Sequence, residues 1–244
     1  MKFKQEKNLM RYPEFLKKNG CIGFVAPSFG CNIEPYKTAF GHALDKFEKM
    51  GYRTELGPNC YEGCGIGINT PEKCGQELME YYCNDTSDVL ISCGGGELMC
   101  EDLPYVDFEK IKEAKPKWYL GYSDNTNMTF LLTTLCDVAS IYGPCAAAFG
   151  MEPWHPAIQD AFDVLTGEKL TIKGYDLYEK EGLKDEENPL VPYNVTEPCI
   201  RKKVPDTDIK MEGRLVGGCL DVLTLLLGTK YDKVQEQFEM RKEK

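Results

Sequence analysis

Histidine is scarce: only His42 and His155 occur in 244 residues, far apart in the chain. No C-x-x-C pair accompanies them, the nearest spacing being Cys60 and Cys64, so the usual ligand patterns of a zinc site are missing. No run of about 18 apolar residues exists. The longest candidate, Met128 to Phe149, is broken by Asp137, which excludes a membrane-spanning helix there. Basic residues are in deficit, 29 Lys and Arg against 39 Asp and Glu, and a net charge of -10 repels a phosphate backbone. Nucleic acid is therefore excluded as a partner. The first twenty residues carry Lys2, Lys4, Lys7, Arg11, Lys17 and Lys18 with no apolar block among them, so the core of a secretion signal is absent and a cytoplasmic location is expected.

What is present is globular composition: 42% hydrophobic, 11% aromatic and 28% charged residues, too apolar for a disordered chain. The length suits one large domain or two modest ones. Twelve cysteines would suggest disulfides in a secreted protein, but Cys21, Cys93 and Cys136 sit inside apolar runs and read as reduced core residues.

Apolar runs and helical periods alternate along the first two thirds. Strands are expected at Cys21–Pro27, Tyr52–Leu56, Asp88–Cys93, Trp118–Gly121 and Ala139–Tyr142. Helices are expected from Pro35 to Gly51, where Tyr36, Phe40, Leu44 and Phe47 share a face, and at Pro71–Cys83, Phe108–Ala114 and Asn125–Cys136. His42 falls on the opposite side of its helix and reads as a solvated surface residue. Near-continuous apolar strands separated by helices predict an α/β fold, a parallel sheet with helices on both faces. After Gly167 the texture changes to Pro, Glu, Lys and Tyr with several possible short strands, which places a domain boundary there: 1–167 an α/β domain, 168–244 the start of an incomplete C-terminal one. Lys210–Leu215 reads as a strand, Gly217 and Gly218 as a tight turn, Leu220–Leu227 as a buried helix and Asp232–Lys244 as a charged helix. The apolar helix also offers a surface for a homodimer.

In an open parallel sheet, ligands gather at the carboxyl ends of the strands, so the loops after Pro27, Cys93, Gly121 and Tyr142 are expected to share one crevice. Gly94, Gly95 and Gly96 form one of them, and three glycines let backbone N–H groups approach a ligand closely. The plainer reading is a flexible turn. The triplet is neither the dinucleotide fingerprint nor a phosphate loop, and Gly63, Gly65 and Gly67 match those patterns no better. The loop Gly121-Tyr122-Ser123-Asp124-Asn125 lies between a strand and a helix, where a sharp turn would hold the Ser123 hydroxyl proud of the sheet as a nucleophile. The Asp124 N–H would then sit at a helix N-terminus, suited to an oxyanion. The plainer reading is that Ser123 or Asp124 caps that helix.

The segments FVAPS (Phe24–Ser28), Gly94–Glu97, PYVDF (Pro104–Phe108), GYSD (Gly121–Asp124), YGP (Tyr142–Pro144) and EGRLVGGCL (Glu212–Leu220) occur in one order. In that order the chain from Gly23 to Gly228 resembles the LD-carboxypeptidase family of serine peptidases, which includes the microcin C immunity peptidases. The resemblance implies a Rossmann-like domain carrying the serine, a smaller β-rich second domain, and hydrolysis of an amide bond next to a free carboxylate in a small murein peptide or a peptide-nucleotide antibiotic. It implies no metal and no organic cofactor. Carried over by position, Ser123 resembles the nucleophile, and the backbone N–H groups of Asp124 and Gly95 resemble the oxyanion hole. The family's Glu follows an apolar strand after the segment that resembles Leu220–Leu227, and its His comes from a later Gly-His turn. Neither segment occurs before Lys244. The chain is thus expected to be the N-terminal portion of such an enzyme and nearly inactive alone, since a serine without a base is a poor nucleophile. His155 is the one histidine expected near the crevice that could replace the base. Glu212 is assigned no role. Two rival readings are a non-catalytic protein that keeps the crevice to bind peptides or a partner, and a flavodoxin-like cofactor binder.

Overall fold

The computed structural model describes residues 10–63, 68–204 and 207–236. Cys64, Gly65, Gly67 and most of the charged helix expected at Asp232–Lys244 lie outside those residues. Five parallel strands, β1 (Cys21–Val25), β2 (Arg53–Leu56), β3 (Val89–Ser92), β4 (Trp118–Gly121) and β5 (Ile141–Tyr142), pair in the order β2-β1-β3-β4-β5. Pairing is in parallel register, for example Ile22 with Val89 and Leu90 with Tyr119.

Side chains of a strand alternate between faces, and the core follows that rule. Ile22, Phe24, Val89, Ile91, Trp118 and Leu120 enter one apolar layer, while Val25, Leu90 and Tyr119 enter the other. The first layer is closed by α1 (Tyr36–Lys49), whose buried Ala39, Phe40, Ala43 and Phe47 recur at three- and four-residue steps, and by α5 (Pro156–Thr166). The second is closed by α2 (Pro71–Cys83), α3 (Phe108–Glu113), α4 (Thr126–Cys136) and α6 (Leu220–Leu226). The parallel sheet and its two helical layers stand as the sequence indicates. Helix α5 is not among the expected elements, although its signals are legible: Pro156 in the first turn, Ile158, Phe162 and Leu165 on one buried face, and Gly167 at φ +77 ending it.

Beyond Gly167, β6 (Leu177–Glu179) and β7 (Val195–Pro198) form a two-stranded antiparallel sheet. Three expectations fail in the stretch that follows. Lys210–Leu215 is not a strand; it is irregular chain with Met211 87% and Leu215 98% exposed, because no strand among the described residues pairs with its backbone. Gly217 and Gly218 do not form a tight turn. Gly218 instead packs so closely on Thr126 that any Cβ would collide with that side chain, and the Cys219 N–H donates to Thr126 Oγ1 at 2.8 Å. Helix α6 is only partly buried: Val222 and Leu226 reach the core, but Leu220 and Leu225 face outward. None of the described helices is long and apolar enough to cross a membrane.

Candidate active site

The strand order reverses direction between β1 and β3, so the loops leaving their carboxyl ends part there and open a crevice. A cavity of about 460 Å³ occupies it. Loops after β1, β3, β4 and β5 all reach it, through Phe29, Gly95, Ser123 and Ala147, and the connection between β6 and β7 covers it through Lys184 and Tyr193.

Ser123 stands at the first position of a 3-10 turn (Ser123–Asn125) between β4 and α4, with φ at +60. A non-glycine residue in the left-handed region costs about 1–2 kcal/mol. That strain is held by the surroundings. The Ser123 N–H donates to the Tyr142 hydroxyl at 3.0 Å. Beneath it, Asn125 is buried: Tyr119 donates to Asn125 Oδ1 at 2.5 Å, and Asn125 Nδ2 donates to the carbonyls of Gly94 at 3.0 Å and Tyr122 at 3.2 Å. One side chain thus ties the serine turn to the glycine loop. Gly121 must be glycine because a Cβ there would press on Asn125 at 2.8 Å.

Asp124 is the second clamp. Its buried carboxylate accepts from Ser28 Oγ at 2.5 Å, from the Met99 N–H at 2.9 Å and from Asn127 Nδ2 at 2.9 Å, joining the loops after β1, β3 and β4. Neither Ser123 nor Asp124 makes a side-chain cap to the helix, so the capping alternative is not how the fold uses them. The glycine triplet is packed rather than loose. A Cβ at Gly94 would meet the Phe29 ring, one at Gly95 would lie 3.1 Å from Ser123 Cβ, and one at Gly96 would collide with the Ser28 carbonyl. Among the described residues the Gly95 N–H makes no backbone hydrogen bond, and the Asp124 N–H lies in the first turn, where intrahelical acceptors are lacking. Ser123, Asp124 and Gly95, singled out in the sequence, therefore meet at one place.

Two thiols also line the cavity. Burial pushes Cys145 up to about 12 and Cys93 well above its ordinary value, so both stay protonated and are poor nucleophiles. Asp102 is fully buried, and neither of its carboxylate oxygens has a hydrogen-bond partner among the described residues; burial first, and the Asp124 charge second, push it up to about 9. The two histidines are elsewhere. His155 is the N-cap of α5, its Nδ1 accepting from the Ala157 N–H at 3.2 Å with Tyr175 and Tyr193 against the ring, and it does not line the cavity. His42 is half-buried rather than solvated, its Nδ1–H donating to the Gly150 carbonyl at 2.8 Å. Ser28, Asn125, Tyr142 and Lys184 were not singled out in the sequence. Only the first three had a signal there, since each lies within or beside a motif quoted above.

The fold and crevice define a doubly wound α/β protein that presents Ser123 and a glycine loop at the carboxyl ends of its strands. The profile of the family described as LD-carboxypeptidase N-terminal domain matches residues 22–143, and the chain belongs to that family. It is 26% identical over 221 residues to the microcin C7 self-immunity protein MccF of Escherichia coli, covering 86% of this chain and 62% of the relative. It is 28% identical over 228 residues to a probable murein peptide carboxypeptidase of Bacillus subtilis strain 168, covering 90% and 60%. The chain thus spans about three fifths of the length of these relatives. Among solved structures it is similar to MccF in complex with aspartyl sulfamoyl adenosine, with a TM-score of 0.76 at 22% identity over 90% of this chain and 66% of that one. An MccF-like protein from Streptococcus pneumoniae in complex with AMP gives 0.68 at 18% identity, over 91% and 67%. At these identities the structures speak for the fold alone.

Proposed function

We propose that this chain bears the nucleophile of a serine carboxypeptidase that hydrolyses an amide bond next to a free carboxylate, in a small murein peptide or a peptide-nucleotide conjugate. The observation that carries the reading is Ser123 at φ +60, its Cβ against Gly95 and its side chain on the cavity. Ser123 Oγ attacks the scissile carbonyl carbon. The N–H groups of Asp124 and Gly95 donate to the oxygen as it gains charge, the amine leaves with a proton, and water then releases the acyl group from the serine. The strained turn holds the hydroxyl out of the sheet, and the Asp124 and Asn125 clamps hold the glycine loop opposite it.

A base has to accept the hydroxyl proton. Among the described residues no histidine lines the cavity, and the family resemblance assigns that work to a Glu and a His following the segment that α6 represents. The reading divides labour near Gly167, with 1–167 carrying the nucleophile and 168–244 beginning a second domain that covers the cavity. A cytoplasmic setting and self-association through the outward leucines of α6 go with it.

Fluorophosphonate labelling followed by peptide mass spectrometry tests the proposal. An adduct on Ser123, lost in Ser123→Ala, supports it. No adduct, in the chain alone or with the C-terminal portion of MccF added, overturns it. That no histidine among the described residues lines the cavity favours one alternative, a peptide-binding protein without turnover, which the same result would select if peptides still bind.

A further inference from the structure

We propose that Lys184 is the anchor for the free carboxylate of the substrate, a specificity-determining residue supplied by the connection between β6 and β7. The inference rests on the carboxypeptidase reading and deepens it.

Three observations converge on this side chain. First, Lys184 is the one cation among the described residues lining the cavity that holds Ser123 and Gly95; the other charged groups there are Glu97 and Glu179. Second, both carboxylates are accounted for. Glu179 accepts the Asn194 N–H at 2.8 Å and so is tied to its own hairpin, and Glu97 is exposed at the rim. Third, the Lys184 ammonium is half-buried, yet it makes no hydrogen bond and no ion pair among the described residues.

Lysine is rarely withdrawn from water without a partner. Elsewhere in this chain the buried ammonium of Lys117 is satisfied by the carbonyls of Tyr81 at 2.7 Å and Asn84 at 2.9 Å. Lys184 has no such shell. Desolvation lowers its pKa, with only the through-space effects of Cys31 and Glu179 opposing. An incoming carboxylate would restore the lost interaction, and the site would then favour a substrate that carries one. A carboxypeptidase needs this cation in the same cavity as the nucleophile, because the terminal carboxylate lies one residue beyond the scissile carbonyl. The apolar remainder of the wall, with Phe29, Ala147, Val191 and Pro192, strengthens the pairing by excluding water.

The test uses acetyl-L-lysyl-D-alanine and its C-terminal amide as probes. Binding is measured by calorimetry in a Ser123→Ala background that prevents turnover. The acid is expected to bind about ten-fold or more tightly than the amide, as befits a hydrogen-bonded charge pair. Lys184→Met should erase that preference and Lys184→Arg should keep it, with thermal melts showing all three proteins folded. An acid that binds no better than its amide, or a preference that survives Lys184→Met, overturns the proposal. With Ser123 present, fluorophosphonate labelling separates the anchor from a base. Labelling unchanged in Lys184→Met supports the anchor; labelling lost in both Lys184→Met and Lys184→Arg makes Lys184 the base and overturns it. If Ser123 never labels while the carboxylate preference holds, the hydrolytic reading fails and the anchor stands as a binding site.

Discussion

The serine turn and the stretch from Lys210 to Leu227, irregular up to α6, are opposite in kind. At the turn, nearly every polar group has a named partner: Asp124 binds three donors, Asn125 binds three groups, and each glycine of the triplet is wedged against a neighbour. In the later stretch Met211, Leu215, Leu220 and Leu225 stand in water, and the chain touches the body mainly where Gly218 and Cys219 meet Thr126 and where Val222 and Leu226 enter the core. Strain at a functional residue persists only when its surroundings over-determine it. The turn at φ +60 is kept in the first region and could not be kept in the second.

The sharpest way to break this contrast is Asp124→Ala. It leaves the Met99 N–H, the Ser28 hydroxyl and the Asn127 amide without their acceptor, and is expected to cost about 3 kcal/mol in urea unfolding, given about 1–3 kcal/mol for each buried group left unpaired. Gly96→Ala forces a methyl into the Ser28 carbonyl and should cost about 2 kcal/mol, within the usual range for overpacking. It should also lower Ser123 labelling, because the glycine loop has to shift.

Asp102 sharpens the comparison from the other side. Folded Asp102 keeps its proton to about 9 while an unperturbed aspartate in the unfolded chain releases it near 3.8, so the folded state holds more protons across that window and stability falls as pH rises through it. Asp102→Asn should raise the melting temperature, by more at pH 8 than at pH 5, and an equal shift at both would contradict the argument. The smallest effect is expected in the exposed stretch. Met211→Ser should change stability by less than about 0.5 kcal/mol, and a larger loss would show that the stretch is packed.

Much of the fold was legible because burial on both faces of a parallel sheet leaves unmistakable apolar runs, as in CIGFV and VLIS. Helix α5 is absent from the expected elements although its proline, apolar face and terminal glycine are local signals; it ends directly before the change of texture at Gly167, which reads as a boundary. Lys210–Leu215 was misread because alternation of side chains cannot reveal whether a partner strand is present. At the site, Ser123, Asp124 and Gly95 could be named from motif and position. Lys184 could not, since a lysine in a polar loop reads as solvated until a cavity is seen around it.

Sequence by itself determined the alternation of elements, the parallel sheet and the loops able to carry chemistry, because these depend on periodicity and on glycine placement along the chain. Tertiary structure alone decided which loops converge, that His155 caps a helix and does not line the crevice, and that Lys184 from a distant hairpin lines the serine's cavity. The physical reason is that burial and pairing are properties of groups brought together across the chain, and no local pattern encodes a partner that lies far along the sequence or shows whether it is there.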